Sequence, residues 1–432
     1  MILSDALDRT LLLMRDEVGD TPSDDALIEA LTSTSVALVV DEANISSHAA
    51  QSAFITAALL MARSAHRVFL SAPETTLLGP QLPLPPGPML RGLARVGQNL
   101  LPGIAFTFGA PEREIDLVIA FGDTTSEIPA RRHIRVSAEP WTGSIVAWDE
   151  PRRWIPSWWP MGGLAAGALA AGEAFKQAML KLLPFAMNPT MTASVFALSD
   201  QAHVELAPPQ TPFFGDLGDV DFISGGAINS SALYAISRLP GVRLSGRIVE
   251  PDTFAPSNLN RYALMLASHD GLGKAWTLSG MLDDIVRLVA VPARYLAGSP
   301  IEPLARRVVV GVDDIPTRWN VQRAGSSWLT IGATTHWSAM ASFHASGLGC
   351  AQCLHPEDEP GDAPIPTLAC VSFWAGLLTA AYLIRHAALT DLPVADQHVY
   401  MTPFRPECAV SGSVRIRPSC PTCGTGRAQP RA

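Results

Sequence analysis

Between Val220 and Asp252 the chain reads as a strand, a tight turn, a helix and a second strand that closes on an acid. The first strand, Val220 to Ser224, runs into Gly225-Gly226-Ala227, small residues that let a backbone approach a phosphate before a helix begins near Ser230. Leu233, Ile236 and Leu239 recur at helical spacing, and the strand Leu244 to Val249 ends on Glu250 and Asp252 in E-P-D. This pattern calls for an open, mostly parallel α/β sheet with its nucleotide crevice at the strand ends and the acid placed to meet a ribose. Of a G-x-G-x-x-G frame only the middle glycine is present, the outer positions being Ser224 and Asn229. The turn alone therefore specifies little.

More specific residues follow. Asn258-Leu259-Asn260-Arg261 comes shortly after Asp252, and Gly271-Leu272-Gly273-Lys274-Ala275 stands at the start of the next helix. Two amides, an arginine and a lysine beyond the acid suggest a triphosphate site, because a dinucleotide's pyrophosphate needs little beyond a helix N-terminus. Lys274 and Arg261 are the natural phosphate cations. Asp313, in V-D-D-I-P-T-R, ends an apolar strand (307–312) on the side where such sheets bind ligands, and is the candidate Mg²⁺ ligand, with Asp314 as its alternative.

In these motifs the chain resembles the ubiquitin-activating superfamily of adenylating enzymes, which includes ThiF, MoeB and HesA. The likeness runs from Val220 to Cys423. It implies ATP-dependent adenylation of the C-terminal carboxylate of a ubiquitin-like β-grasp protein, with a conjugating enzyme as a possible further partner. Gly225, Gly226 and Asn229 would form the nucleotide turn, Glu250 and Asp252 would hold the nucleoside, Asn258 and Asn260 would shape the pocket, and the family's D-x-x-x-x-R frame, completed by Arg318, favours Asp313 for the metal. Relatives also receive an arginine from a helix of the partner subunit, a role that falls to Arg9 here, with Arg15 second. Thioester-forming relatives carry a cysteine between the first C-x-x-C and the P-T motif. Leu354 to Pro366 contains none, which leaves Cys370, then Cys408, as thiol candidates and Ser372 as the nearest hydroxyl. The alternatives are a ThiF-like adenylase acting on a peptide or sulfur carrier, and a scaffold of this fold without turnover. A nicotinamide-dependent oxidoreductase would leave N-L-N-R and Lys274 unexplained.

Cys350-x-x-Cys353 and Cys420-x-x-Cys423 are two metal knuckles, and four thiolates make a closed, structural Zn²⁺ site that staples the C-terminal tail to the domain body. Metal spacing in four of the six cysteines, instead of a disulfide framework, points to the cytoplasm. The first residues carry acids among the apolar positions and read as part of the fold, not as a leader. A net charge of −9 without a basic stripe argues against nucleic acid as a main partner. Ile365 to Ile384 is free of charge, but Pro366, Gly376 and small polar residues dilute it, so it reads as buried core and no membrane partner is expected.

The motif-bearing segments have weaker counterparts upstream in the same order. VALVVDE and HRVFLSAPE match the two strands around the Gly-rich turn, and Ala43-Asn44-Ile45-Ser46-Ser47 matches Ala227-Ile228-Asn229-Ser230-Ser231. Asp116 to Thr124 matches Val308 to Thr317, the segment around Trp141 matches that around Trp337, and 162–183 matches 366–387. The ordered set predicts a duplication: two Rossmann-like ThiF-type units in tandem, the second carrying the zinc site. The expected division is an N-terminal helical segment (1–33), a degenerate unit (34–205) lacking N-L-N-R, the lysine and the cysteines, and an active unit (206–432). An intramolecular pseudo-dimer follows, with further dimerisation left open.

Overall fold

The computed structural model describes residues 2–357, 365–389 and 392–424. Two sheets account for the strands. The first orders β3-β2-β1-β4-β5-β6-β7, from β1 (Ser35–Val39), β2 (Arg67–Ser71), β3 (Thr107–Phe108), β4 (Ile115–Phe121), β5 (Ala130–Ala138), β6 (Thr142–Val146) and β7 (Ala202–Glu205). The second orders β10-β9-β8-β11-β12-β13-β14-β15, from β8 (Asp216–Ile223), β9 (Arg243–Val249), β10 (Arg287–Val291), β11 (Arg307–Val310), β12 (Trp328–Thr335), β13 (Ser338–Ala345), β14 (His398–Thr402) and β15 (Arg405–Gly412). In each sheet five strands run parallel and the following ones antiparallel. The orders are the same strand for strand, with one strand added to the second. The chain is thus two Rossmann-like α/β units in tandem.

The central strands are continuous apolar runs, as burial on both faces demands: every residue of β4, IDLVIAF, is buried. Paired helices cover one face of each sheet. His48–Arg63, buried at every position, lies against Met161–Lys181; Ala227–Ile236 lies against Ala369–Ala388. Both pairs approach so closely that only glycine fits: a Cβ on Gly163 would stand 2.3 Å from the Ala49 carbonyl oxygen, and one on Gly376 2.4 Å from that of Ile228. The helices of the two units also pack on one another, and a single hydrophobic core runs from Leu7 and Phe54 through Tyr234 to Trp374. Residues 369–384 of the uncharged stretch read as core lie in the buried helix Ala369–Ala388, and no described helix is long and apolar enough to cross a membrane.

Two local expectations are corrected. The helix after the Gly-rich turn begins at Ala227, not near Ser230, because Gly226 takes the N-cap position without a capping side chain. The five-residue match also fails in three dimensions: residues 227–231 are helical, whereas 43–47 form a turn ahead of the helix that starts at His48.

Candidate active site

The sheet register assembles the site. Ile223 of β8 lies between Val249 of β9 and Val310 of β11, so Ser224, Glu250 and Gly311 emerge side by side at the C-terminal edge. Strand order reverses direction between β8 and β11, which opens a crevice there. It holds a cavity of about 520 Å³ lined by Arg9, Arg261, Lys274, Glu250, Asp252 and Asp313, with Gly226 and Ala227 at its floor. The helix from Ala227 has no side-chain cap, so its first N–H groups are available to an anion.

Ser224 stands where the glycine frame has its first glycine, and its backbone keeps the left-handed conformation, φ 89°. Its hydroxyl secures the turn, accepting from Gly226 N at 2.9 Å and donating to Glu250 Oε2 at 3.2 Å. Glu250 faces that turn, accepting from Gly225 N at 2.7 Å and Asp252 N at 3.0 Å. Asn229 is buried, donating to the Ile223 and Ser224 carbonyls, and does not line the cavity. Gly225 N, Asn229 and most of Glu250's accepting capacity thus hold the turn.

Three cations converge. Burial pushes Arg261 below its usual value, Arg9 adds to that effect, and Tyr262, Asp313 and Asp8 oppose it. Burial alone would lower Lys274, but Tyr262, Glu250 and Asp252 outweigh it and hold the ammonium above the ordinary lysine value. Arg9 arrives on the helix Leu3–Val18, which packs on the turn Pro256–Asn258, and its Nε lies 3.6 Å from Asp8; Arg15 does not line the cavity and pairs with Asp24 at 2.6 Å and Asp20 at 3.7 Å. Asn258 accepts from Ala255 N at 3.0 Å, and buried Asn260 donates to Thr10 at 2.8 Å, so both shape the loop and neither lines the cavity.

Asp313 and Asp314 both reach the cavity edge, but Asp314 caps the helix Ile315–Arg323 through Thr317 N at 2.7 Å. Arg318 is buried and donates twice to the Val312 carbonyl, fixing the turn that presents Asp313. Tyr262, Thr334 and Thr367 also line the cavity without having been singled out in the sequence. The tyrosine follows N-L-N-R directly, and Lys274 Nζ lies 5.4 Å from its ring centre.

Cys370 is not in this cavity. It lies at the unit interface, its Sγ 3.6 Å from the Ala168 carbonyl, and burial pushes its thiol up to about 12. Burial there disfavours the thiolate, and the thiol does not face the cavity. Cys408 is exposed on β15 and does not line the cavity; Ser372 does, its hydroxyl 3.0 Å from that of Thr367. Brief alkylation of the native, metal-loaded protein near pH 8 is expected to label Cys408 and leave Cys370 unmodified, as read by peptide mass.

The first unit's crevice is filled. Phe121 takes the position of Gly311, and its ring packs near buried Trp154. Asn44 donates to Asp41 at 2.9 Å and to Asp123, the counterpart of Asp313, at 2.7 Å, and accepts from Trp154 N at 2.9 Å.

Away from the cavity, the sulfurs of Cys350, Cys353, Cys420 and Cys423 lie within 4.8 Å of one another. Bonds of ~2.3 Å to a tetrahedral ion require sulfurs a little under 4 Å apart, so the set fits zinc. His344 is buried and bonded to the Gly349 carbonyl at 2.8 Å, beneath the knuckle and outside the ligand set.

Comparison with known proteins gives likenesses of three kinds, to a family model, to a curated protein and to solved structures. A family model described as the BilD N-terminal domain matches residues 35–195. The uncharacterized protein y4jF of Sinorhizobium fredii is 27% identical over 209 residues, 45% of this chain and 38% of that protein. The chain thus spans well under half of that relative. Among solved structures, E. coli MccB with ATP aligns at 14% identity and TM-score 0.40 over 67% of this chain and 98% of its own, and PaaA at 9% and 0.37 over 46% and 64%.

Proposed function

We propose that the second unit binds ATP and adenylates the C-terminal carboxylate of a polypeptide, with Arg9 of the N-terminal helical segment completing the site and the first unit, its own crevice filled, supporting it without turnover. The observation that carries this reading is the convergence of Arg9, Arg261 and Lys274 with an uncapped helix N-terminus and Asp313 in one crevice. Those groups match a triphosphate, in charge and in donors. Asp313 beside phosphate oxygens is a donor set magnesium accepts, and the ion would neutralise charge on the departing pyrophosphate. Arg261 and Lys274 hold and orient the phosphates so that a carboxylate entering past Thr334 and Thr367 meets the α-phosphorus in line. Asp252, exposed beside Glu250, faces the nucleoside.

The carboxylate belongs either to a ubiquitin-like protein or to a shorter peptide. One observation favours the peptide-type reaction: none of the described residues lining the cavity is a cysteine, and Cys370 is buried in the interface, so among the described residues no thiol stands at the site of the adenylate. ATP:pyrophosphate exchange by the zinc-loaded protein, with a diglycine-tailed β-grasp protein or with short peptides, tests both readings. Exchange with only one substrate class selects between them. Absence of ATP binding to the folded protein would leave a scaffold.

A further inference from the structure

We infer that Arg63, supplied by the first unit, is a positioning residue for the phosphate-binding loop of the second unit, holding the segment that presents Arg261 from across the unit boundary. The inference rests on the adenylation reading for its kinetic consequence, but not for its structural one.

Arg63 ends the buried helix His48–Arg63. Its Nη1 donates to the Leu259 carbonyl at 2.6 Å, and its Nη2 to those of Ala263 at 3.0 Å and Met265 at 2.6 Å. These carbonyls bracket Arg261. The guanidinium is fully enclosed, and among the described residues it bonds to no carboxylate; burial pushes it down to about 9, which still leaves it charged at neutral pH.

An enclosed guanidinium held only by carbonyl dipoles through Nη1 and Nη2, its Nε without a partner, is costly against an apolar side chain of similar size. Other polar contacts join the units as well, Arg238 to Gln81 and Leu82, His48 to the Arg238 carbonyl and Thr56 to Tyr234, but none of them reaches the 259–265 segment. The planar fork supplies geometry instead, because its donors fix the relative positions of three carbonyls in a segment without helix or strand to do so. Two further contacts from outside the second unit act on the same loop: Thr10 of the N-terminal helix accepts from Asn260, and the Asn99 carbonyl of the first unit accepts from Ala267 N at 2.7 Å. Arg261 itself is steered by the Ser257 carbonyl and by Asn260 Oδ1, so its aim into the cavity depends on where the loop is held.

The test uses the whole 432-residue chain, zinc-loaded, with Arg63→Met and Arg63→Lys. Hydrogen exchange without nucleotide reads the amides of Arg261, Tyr262 and Met265, which bond within the loop. Arg63→Met is expected to speed exchange at these amides selectively and to raise the KM for ATP about tenfold or more with unchanged zinc content. Arg63→Lys, which keeps charge and fold but reaches fewer carbonyls, is expected to fall between. Unchanged loop exchange in both variants, or acceleration spread evenly over both sheets, would overturn the inference. So would an unaltered KM for ATP in a variant whose loop is loosened. If the unsubstituted protein binds no ATP, the adenylation reading fails, and the exchange measurement still decides whether Arg63 positions the loop.

Discussion

Lys274→Ala is expected to abolish adenylate formation while leaving the fold and the zinc site in place. The ammonium is buried at the start of the helix Lys274–Leu282, 3.5 Å from Asp252, and stays charged because Tyr262, Glu250 and Asp252 outweigh its burial. Its folded value is raised, so whatever stability it contributes is fully present below the ordinary lysine value and is lost only as pH rises through the folded one. Its charge therefore imposes no pH dependence near neutrality. For a triphosphate, loss of this cation from an enclosed site removes transition-state stabilisation worth about 10²–10³-fold or more in rate. For the fold, little is lost: Asp252 is 67% exposed, and a pair screened in that way contributes between zero and about 1 kcal/mol. Pyrophosphate exchange should therefore disappear with the thermal midpoint nearly unchanged. Exchange at the original rate would remove Lys274 from the mechanism, and with it the strongest reason for a triphosphate.

The architecture was legible because it is written in order. Apolar runs such as IDLVIAF and RVVV need two covered faces, and their repeated succession in both halves fixes a duplicated parallel sheet. The two C-x-x-C pairs were equally plain, since their spacing is the geometry. Other features were not. The helix start at Ala227 was misplaced because no capping side chain marks it, and the matching Ala-Asn-Ile-Ser-Ser lies in a turn whose Asn44 is bonded to Asp41 and to the distant Asp123 and Trp154. Asn229, read as part of a nucleotide turn, in fact ties two carbonyls of that turn together. Arg63 carried no signal at all. Its partners are backbone carbonyls nearly two hundred residues away, and carbonyls leave no imprint on sequence pattern. Cys370 stands in an apolar run of the sequence, and the structure places it in the interface between the units, away from the cavity.

Cys420→Ser is expected to lose zinc, loosen the C-terminal segment and weaken ATP binding before it unfolds either sheet. The last effect follows from how the knuckle is attached. Ala351 N donates to Gln322 Oε1 at 3.1 Å, Arg323 donates to Gln352 Oε1 at 2.8 Å and to Thr422 Oγ1 at 3.0 Å, and Trp319 Nε1 donates to the His355 carbonyl at 3.0 Å. All three donor or acceptor side chains on the inner side belong to the helix Ile315–Arg323, whose first turn is capped by Asp314 and whose Arg318 secures Val312 next to Asp313. A closed four-thiolate site contributes ~10 kcal/mol or more in small zinc modules, and less where a formed domain already supports its ligands. Here His344 and Gln397 hold the Gly349 carbonyl from below, so the first knuckle persists in part and the second bears the loss. The helix then loses its outer supports, and the Asp313 turn loosens at the far end. Metal content, a melting curve and the KM for ATP of Cys420→Ser check the chain of effects in order. A zinc-free variant with a loosened tail and an unaltered KM would confine the metal to stapling the terminus, because the helix would then hold Asp313 through Asp314 and Arg318 alone.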